Sequence, residues 1–115
     1  MFNDKPLTFQ QKEGKTPGTR IFVLDGPLIL RNMFEFQAAM RVGSPQRTYI
    51  DLTNVPYMDS AGIGAIVNYY VHCQKDATQV IVAGVSDRVM ELFKMTKVDS
   101  VIPILPAVDE TEFDA

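Results

Sequence analysis

The chain is poor in the residues from which most catalytic and metal centres are built. It holds one cysteine, Cys73, and one histidine, His72. A lone cysteine excludes an internal disulfide and a multi-cysteine metal site. A lone histidine argues against a histidine-based metal cluster. Positive charge is also scarce. Eleven Lys and Arg stand against 14 Asp and Glu, a net charge of -3, so no basic field attracts nucleic acid or an anionic membrane. No uninterrupted apolar stretch reaches the roughly 18 residues needed to cross a bilayer. The N-terminal segment MFNDKPLTFQQKEGK lacks the apolar run of a signal peptide. Internal repeats and low-complexity tracts are missing too. These absences lead to the expectation of a cytoplasmic protein without nucleic-acid partner, membrane insertion, metal or cofactor.

What is present suits one globular core. The 115 residues are 46% hydrophobic and 22% charged, enough apolar material for one domain and too little length for two. Leu7 and Phe9 alternate with polar residues, and Gly14, Pro17 and Gly18 supply a turn before a second apolar run from Arg20 to Leu24. In LILRNMFEFQAAMR, the residues Ile29, Met33, Phe36 and Met40 recur at helical spacing, and Gly43-Ser44-Pro45 ends that helix. Leu30 and Phe34 fall off the stripe, either widening the buried face or standing exposed. RTYIDLT is rich in strand formers. Ile63, Ile66, Val67, Tyr70 and Val71 mark an amphipathic helix from Ala61 to about Lys75. QVIVAGV suits a strand buried on both faces. Ser86 is placed to cap a helix whose apolar face is Val89, Leu92 and Phe93. VIPIL is a last strand, which Pro103 assigns to an edge.

The predicted order is strand, strand, helix, strand, helix, strand, helix, strand. That is an α/β fold: a mostly parallel mixed sheet of about five strands with three to four helices. The core is expected over about 5–106, with an acidic tail over 107–115. In such sheets functional surfaces gather at the carboxyl ends of the strands. The segment YMDSAGIG, residues 57–64, follows the strand ending near Thr53 and so falls at that end.

Ser60 in this segment has two readings. Its hydroxyl can cap the helix that follows, with Asp59 as the competing cap. Alternatively it is a nucleophile or a phosphate acceptor. A nucleophile elbow needs glycine two residues before the serine, where Met58 stands. His72 lies twelve residues along the same predicted helix, roughly 18 Å away at about 1.5 Å per residue, too far to act as base. Gly62 and Gly64 are not followed by the Lys-Ser or Lys-Thr of a nucleotide-binding loop. They are expected to leave the backbone N–H groups of the helix start open to a partner. Asp51 and Asp59 flank one loop and could hold Mg²⁺, or Asp51 could simply bond the backbone of its own turn.

The stretch YIDLTNVPYMDSAGIGAIVNYY resembles the signature of the STAS family, domains found in bacterial anti-sigma-factor antagonists and at the cytoplasmic end of some anion transporters. The resemblance continues through QVIVAGVSDRVMELFKMTKVDSVIPIL and IFVLDGPL, over about residues 20 to 105. It implies a STAS-like domain whose phosphorylatable serine falls on Ser60. The preceding acid falls on Asp59, the helix-opening glycine on Gly62 and the strand-end acid on Asp51. The partner surface then comprises Asp51, Asp59, Ser60, Ala61, Gly62 and Gly64. It further implies a non-enzymatic regulator that binds an anti-sigma factor with serine-kinase activity, frees a sigma factor, and is reset by a serine phosphatase. The alternative is an accessory STAS subunit of a transporter or signalling complex, with Ser60 only a cap. Two departures stand out: family members often have glycine near the end of the third helix and before the fourth strand, where this chain has MTKV and DATQ.

Overall fold

The computed structural model describes residues 5–108. The expected element order is the observed one. Strand β1 (Thr8–Glu13) and β2 (Thr19–Asp25) are followed by α1 (Phe34–Met40), β3 (Arg47–Asn54), α2 (Ser60–Asp76), β4 (Gln79–Ala83), α3 (Asp87–Met95) and β5 (Ile104–Leu105). The five strands lie in the order β1-β2-β3-β4-β5. Only β1 runs antiparallel, pairing with β2 from Thr8↔Asp25 to Glu13↔Arg20. The other pairs are parallel. The sheet is therefore mixed and mostly parallel. Pro103 precedes β5, which is indeed an edge strand.

Central strands β2, β3 and β4 are apolar because their inner face is covered by the helices. Phe22, Leu24, Ile50, Leu52 and Val82 are fully buried there, with Phe36, Ile66 and Phe93 packed over them. Phe9, Phe22 and Phe36 meet edge to face, with ring centroids 5.4–6.0 Å apart. This contact anchors β1 and α1 to one point of the sheet. On the opposite face Ile21, Tyr49 and Ala83 pack with Val108, which is buried although the tail was expected from 107. The acidic positions Asp109, Glu110, Glu112 and Asp114 lie outside the described residues.

Two helices differ from their predicted form. The first starts at Phe34 instead of covering 28–41. Leu28 is held in a bridge to Met58, and Asn32 Oδ1 accepts from Ile29 N–H at 3.0 Å, so this stretch spends its hydrogen bonds on a turn. Met33, Phe36 and Met40 are buried as expected, whereas Leu30 and Phe34 are 56% and 59% exposed and so do not widen the core face. In α2 the buried stripe is Gly62, Ile63, Ala65, Ile66, Tyr69 and Cys73, while Val71 faces out. The small residues at 62 and 65 let the helix approach the loop before α1, which rotates the buried face towards them.

A polar cluster ties the helices together at the far pole. The Arg20 guanidinium donates to the carbonyl oxygens of Met40 and Val42, which close α1, and lies 3.2 Å from the Tyr69 hydroxyl. Tyr69 shares a 2.9 Å bond with Thr48. Burial pushes the Tyr69 phenol above its ordinary range, and the bond to Thr48 offsets part of that.

Candidate functional site

The site is built where two loops meet at the carboxyl ends of β2 and β3. The loop after β2 and the loop after β3 are zipped together: Leu28 N–H donates to Tyr57 C=O, and Leu28 pairs with Met58. Asp59 completes the junction. Its Oδ1 accepts from Gly62 N–H at 2.9 Å, and its Oδ2 accepts from Leu30 N–H at 3.1 Å. Extended backbone at Asp59 (φ -112°, ψ -175°) is that of an N-cap. Ser60 is therefore the first helical residue of α2 and not its cap, which corrects one of the two sequence readings. Aspartate wins because its second oxygen can also reach the neighbouring loop, which a single hydroxyl cannot do.

The consequence for Ser60 is exposure. Its side chain faces solvent, and among the described residues none bonds its hydroxyl. It stands in the first turn of a 17-residue helix, where unpaired N–H groups and the helix dipole favour negative charge. Ala61 beside it is partly buried.

The two glycines differ. Gly62 is buried, its N–H is taken by Asp59, and a Cβ there would overlap the Leu28 carbonyl oxygen. Glycine at 62 thus serves a contact inside the chain, and its N–H is not open to a partner as expected. Gly64 is exposed, and a Cβ there would meet nothing within 4 Å. No packing inside the described structure asks for glycine at 64.

Asp51 sits near the end of β3, and its Oδ1 accepts from Thr53 N–H at 3.0 Å and from the Thr53 hydroxyl at 2.6 Å. The carboxylate is engaged in its own turn. Gly84 follows β4 with φ +74°, and a Cβ there would strike the Thr53 hydroxyl and crowd Asp51. Glycine at 84 is needed on both counts, a role its place in QVIVAGV only hinted at. Among the described residues no group of three or more His, Cys, Asp or Glu could hold a metal ion. His72 stands 3.3 Å from Asp76 in the last turns of α2, the opposite end from Ser60.

Sequence reasoning left two neighbours of the site undecided. Leu30 and Phe34 are exposed, and Leu30 is joined to Asp59 by its N–H. The result is an apolar flank beside the exposed hydroxyl. Tyr57 was not singled out. Its ring lies under the Arg88 guanidinium of α3, 5.0 Å from centroid to carbon, which binds the third helix to the same surface.

Comparison with known proteins agrees with this architecture. An anti-sigma-B factor antagonist of Listeria monocytogenes is 38% identical over 55 residues, 48% of each chain. The matched segment thus spans about half the length of such relatives. Among solved structures, an anti-sigma factor antagonist from Mycobacterium paratuberculosis superposes with a TM-score of 0.81 at 19% identity, covering 91% of this chain and 90% of that one. The phosphorylated form of the Bacillus cell fate determinant SpoIIAA superposes with a TM-score of 0.72 at 19% identity, covering 93% and 97%. No helix of the described residues is long and apolar enough to cross a membrane. Residues 12–111 match the STAS domain, nearly the whole described sheet with its three helices, and the chain belongs to the STAS domain family.

Proposed function

We propose that this chain is an anti-sigma-factor antagonist, a non-enzymatic protein-binding module switched at Ser60. Unphosphorylated, it binds an anti-sigma factor that is also a serine kinase and so releases a sigma factor. Phosphorylation of Ser60 ends the complex, and a serine phosphatase restores it. Asp51, Asp59, Ser60, Ala61 and Gly64, with Leu30 and Phe34, form the partner surface. Gly62 supports that surface from within.

One observation carries this reading: the Ser60 hydroxyl is exposed in the first turn of α2 while Asp59 does the capping. A kinase can reach the hydroxyl without dismantling a cap. A phosphate adds about -1.5 to -2 charges. At this helix end the dipole offsets part of it, by about 0.3–1 kcal/mol, so the fold tolerates the group. In a docked interface the same charge is desolvated beside the Asp59 carboxylate. An unpaired charge in that setting costs several kcal/mol, and each 1.4 kcal/mol is tenfold in affinity. The switch then needs little change of shape. The similarity to named antagonists supports the same reading.

The test is a pull-down with the tagged chain, followed by intact-mass measurement of the bait with and without ATP. A co-purified kinase that adds one phosphoryl group, absent in Ser60→Ala, is the expected result. Tight binding of the same kinase by Ser60→Asp would sink the electrostatic mechanism.

A further inference from the structure

The outer edge of β4 is only half covered. Strand β3 pairs with it from Gln79 to Ala83, whereas β5 reaches only Val82 and Ala83. Gln79 N–H donates to Gln46 C=O on the β3 side, and Val82 N–H donates to Pro103 C=O on the other. Alternation along a parallel strand therefore turns the N–H and C=O of Val80 towards the β5 side. There the chain has already left the sheet. Val101 N–H and Ile102 N–H both return to the Val98 carbonyl, and Pro103 has no N–H to give. Among the described residues no backbone partner meets Val80 on that side.

A groove of about 350 Å³ lies over this edge. Tyr70 and Cys73 of α2 form one wall, Val101 and Leu105 the other, and none of its described lining residues is charged. Val101 is half exposed, so that wall is open to solvent.

We propose that this groove binds an extended, uncharged segment of a partner protein, which adds a strand to β4 across Val80. The unpaired backbone calls for a peptide backbone, because a β-edge bonds an added strand through alternating N–H and C=O groups. The uncharged walls select its side chains, because a charge entering the groove is desolvated without a counter-charge. The chain's own strands fit poorly. Strand β1 carries Lys12 and Glu13, and β5 lies between Pro103 and Pro106. A partner strand is therefore favoured over a second copy. The groove flanks the last turns of α2. Cys73 lies thirteen residues beyond Ser60, roughly 20 Å along the helix, so this surface is independent of the Ser60 switch.

The experiment selects peptides from a random display library against the full chain and titrates them into ¹⁵N-labelled protein. The expected peptides are extended and uncharged, shift the Val80 amide, and slow its hydrogen exchange by about tenfold or more. Val101→Lys should weaken them at least about tenfold at unchanged Tm, since Val101 is exposed, whereas Ser60→Asp should leave them unaffected. The proposal is overturned by a Val80 amide already as protected as that of Val82 in the free protein. It is equally overturned if no selected peptide perturbs Val80, or if Val101→Lys binds them as well as the parent. A concentration-dependent dimer abolished by Val101→Lys would give the groove to a second copy and also overturn it.

Discussion

Asp59 and Leu30 are joined across two loops: one carboxylate oxygen of Asp59 accepts from Leu30 N–H at 3.1 Å while the other caps α2 at Gly62. One side chain thus sets the start of the helix that carries Ser60 and the position of the exposed apolar flank beside it. Asp59→Ala should cost about 1–2 kcal/mol, the upper range for a lost cap, because a second bond is lost with it. Thermal unfolding reads the cost. Faster hydrogen exchange at Leu30 reads the loosened loop, and Asp59→Asn should show the smaller effect on both.

Because the cap is Asp59, removal of the Ser60 hydroxyl should be nearly neutral. Ser60→Ala is expected within about 0.5 kcal/mol of the parent, below the usual loss at a true serine cap. Ser60→Asp should be neutral to slightly stabilising, since a carboxylate in the first turn suits the helix dipole. Denaturant melts of both variants check this without any partner. A loss near 1–2 kcal/mol in Ser60→Ala would return the cap to the serine.

The two glycines of α2 should respond with opposite sign. Gly62→Ala places a methyl against the Leu28 carbonyl and should destabilise by about 1–3 kcal/mol. Gly64→Ala has open space around it and should stabilise by about 0.5–1 kcal/mol, the ordinary gain from replacing glycine in a helix. If Gly64 is kept bare for a partner, the same Gly64→Ala must weaken partner binding while it raises Tm.

Ala77 and Lys97 both adopt left-handed backbone, at φ 56° and φ 62°. These lie within DATQ and MTKV, the two places where the chain departs from the glycine often seen in the family. A side chain in that region costs about 1–2 kcal/mol, and glycine recovers most of it after its own entropy in the unfolded chain. Ala77→Gly and Lys97→Gly should each add about 0.5–1 kcal/mol, a few degrees in Tm. Calorimetry of the single and double variants should show additive gains, because the two turns lie in different loops.

Tyr69 gives the fold a sensitivity to alkali. Burial raises its phenol in the folded state, so the folded chain holds that proton more tightly than the unfolded one. Its contribution is fully present below about pH 10, the ordinary tyrosine value, and is lost as pH rises through the raised folded value. Tyr69→Phe removes this dependence. It also leaves Thr48 and Arg20 without a partner, costing about 1–3 kcal/mol at neutral pH. Urea midpoints measured from pH 8 to 11 should therefore start lower in Tyr69→Phe and fall less steeply.

The order of strands and helices was legible in the sequence because it rests on short-range signals: alternation in β1, apolar runs in β2 and β4, turn residues between them, and the Ser86 cap, which accepts from Val89 N–H at 3.2 Å. Pro103 marked an edge strand because a residue without N–H cannot serve a central ladder. What failed was also local in appearance. Ile29 fits a helical stripe, yet it lies in a turn because Leu28 pairs with Met58, thirty residues on. Val71 fits the apolar pattern of α2, yet close approach at Gly62 and Ala65 turns Tyr69 and Cys73 inward instead.

By itself the sequence determined the class of the fold and drew the eye to Asp59, Ser60 and the glycines after them. Hydrophobic period and backbone propensity act over a few residues, and those can be read from a string. Only the tertiary structure decided which residue caps α2, which glycine is buried, and that Leu30 and Phe34 border the exposed serine. Each of those outcomes depends on how closely the loop after β2 lies against the loop after β3. That distance is set by packing between segments far apart in the chain, and no local pattern encodes it.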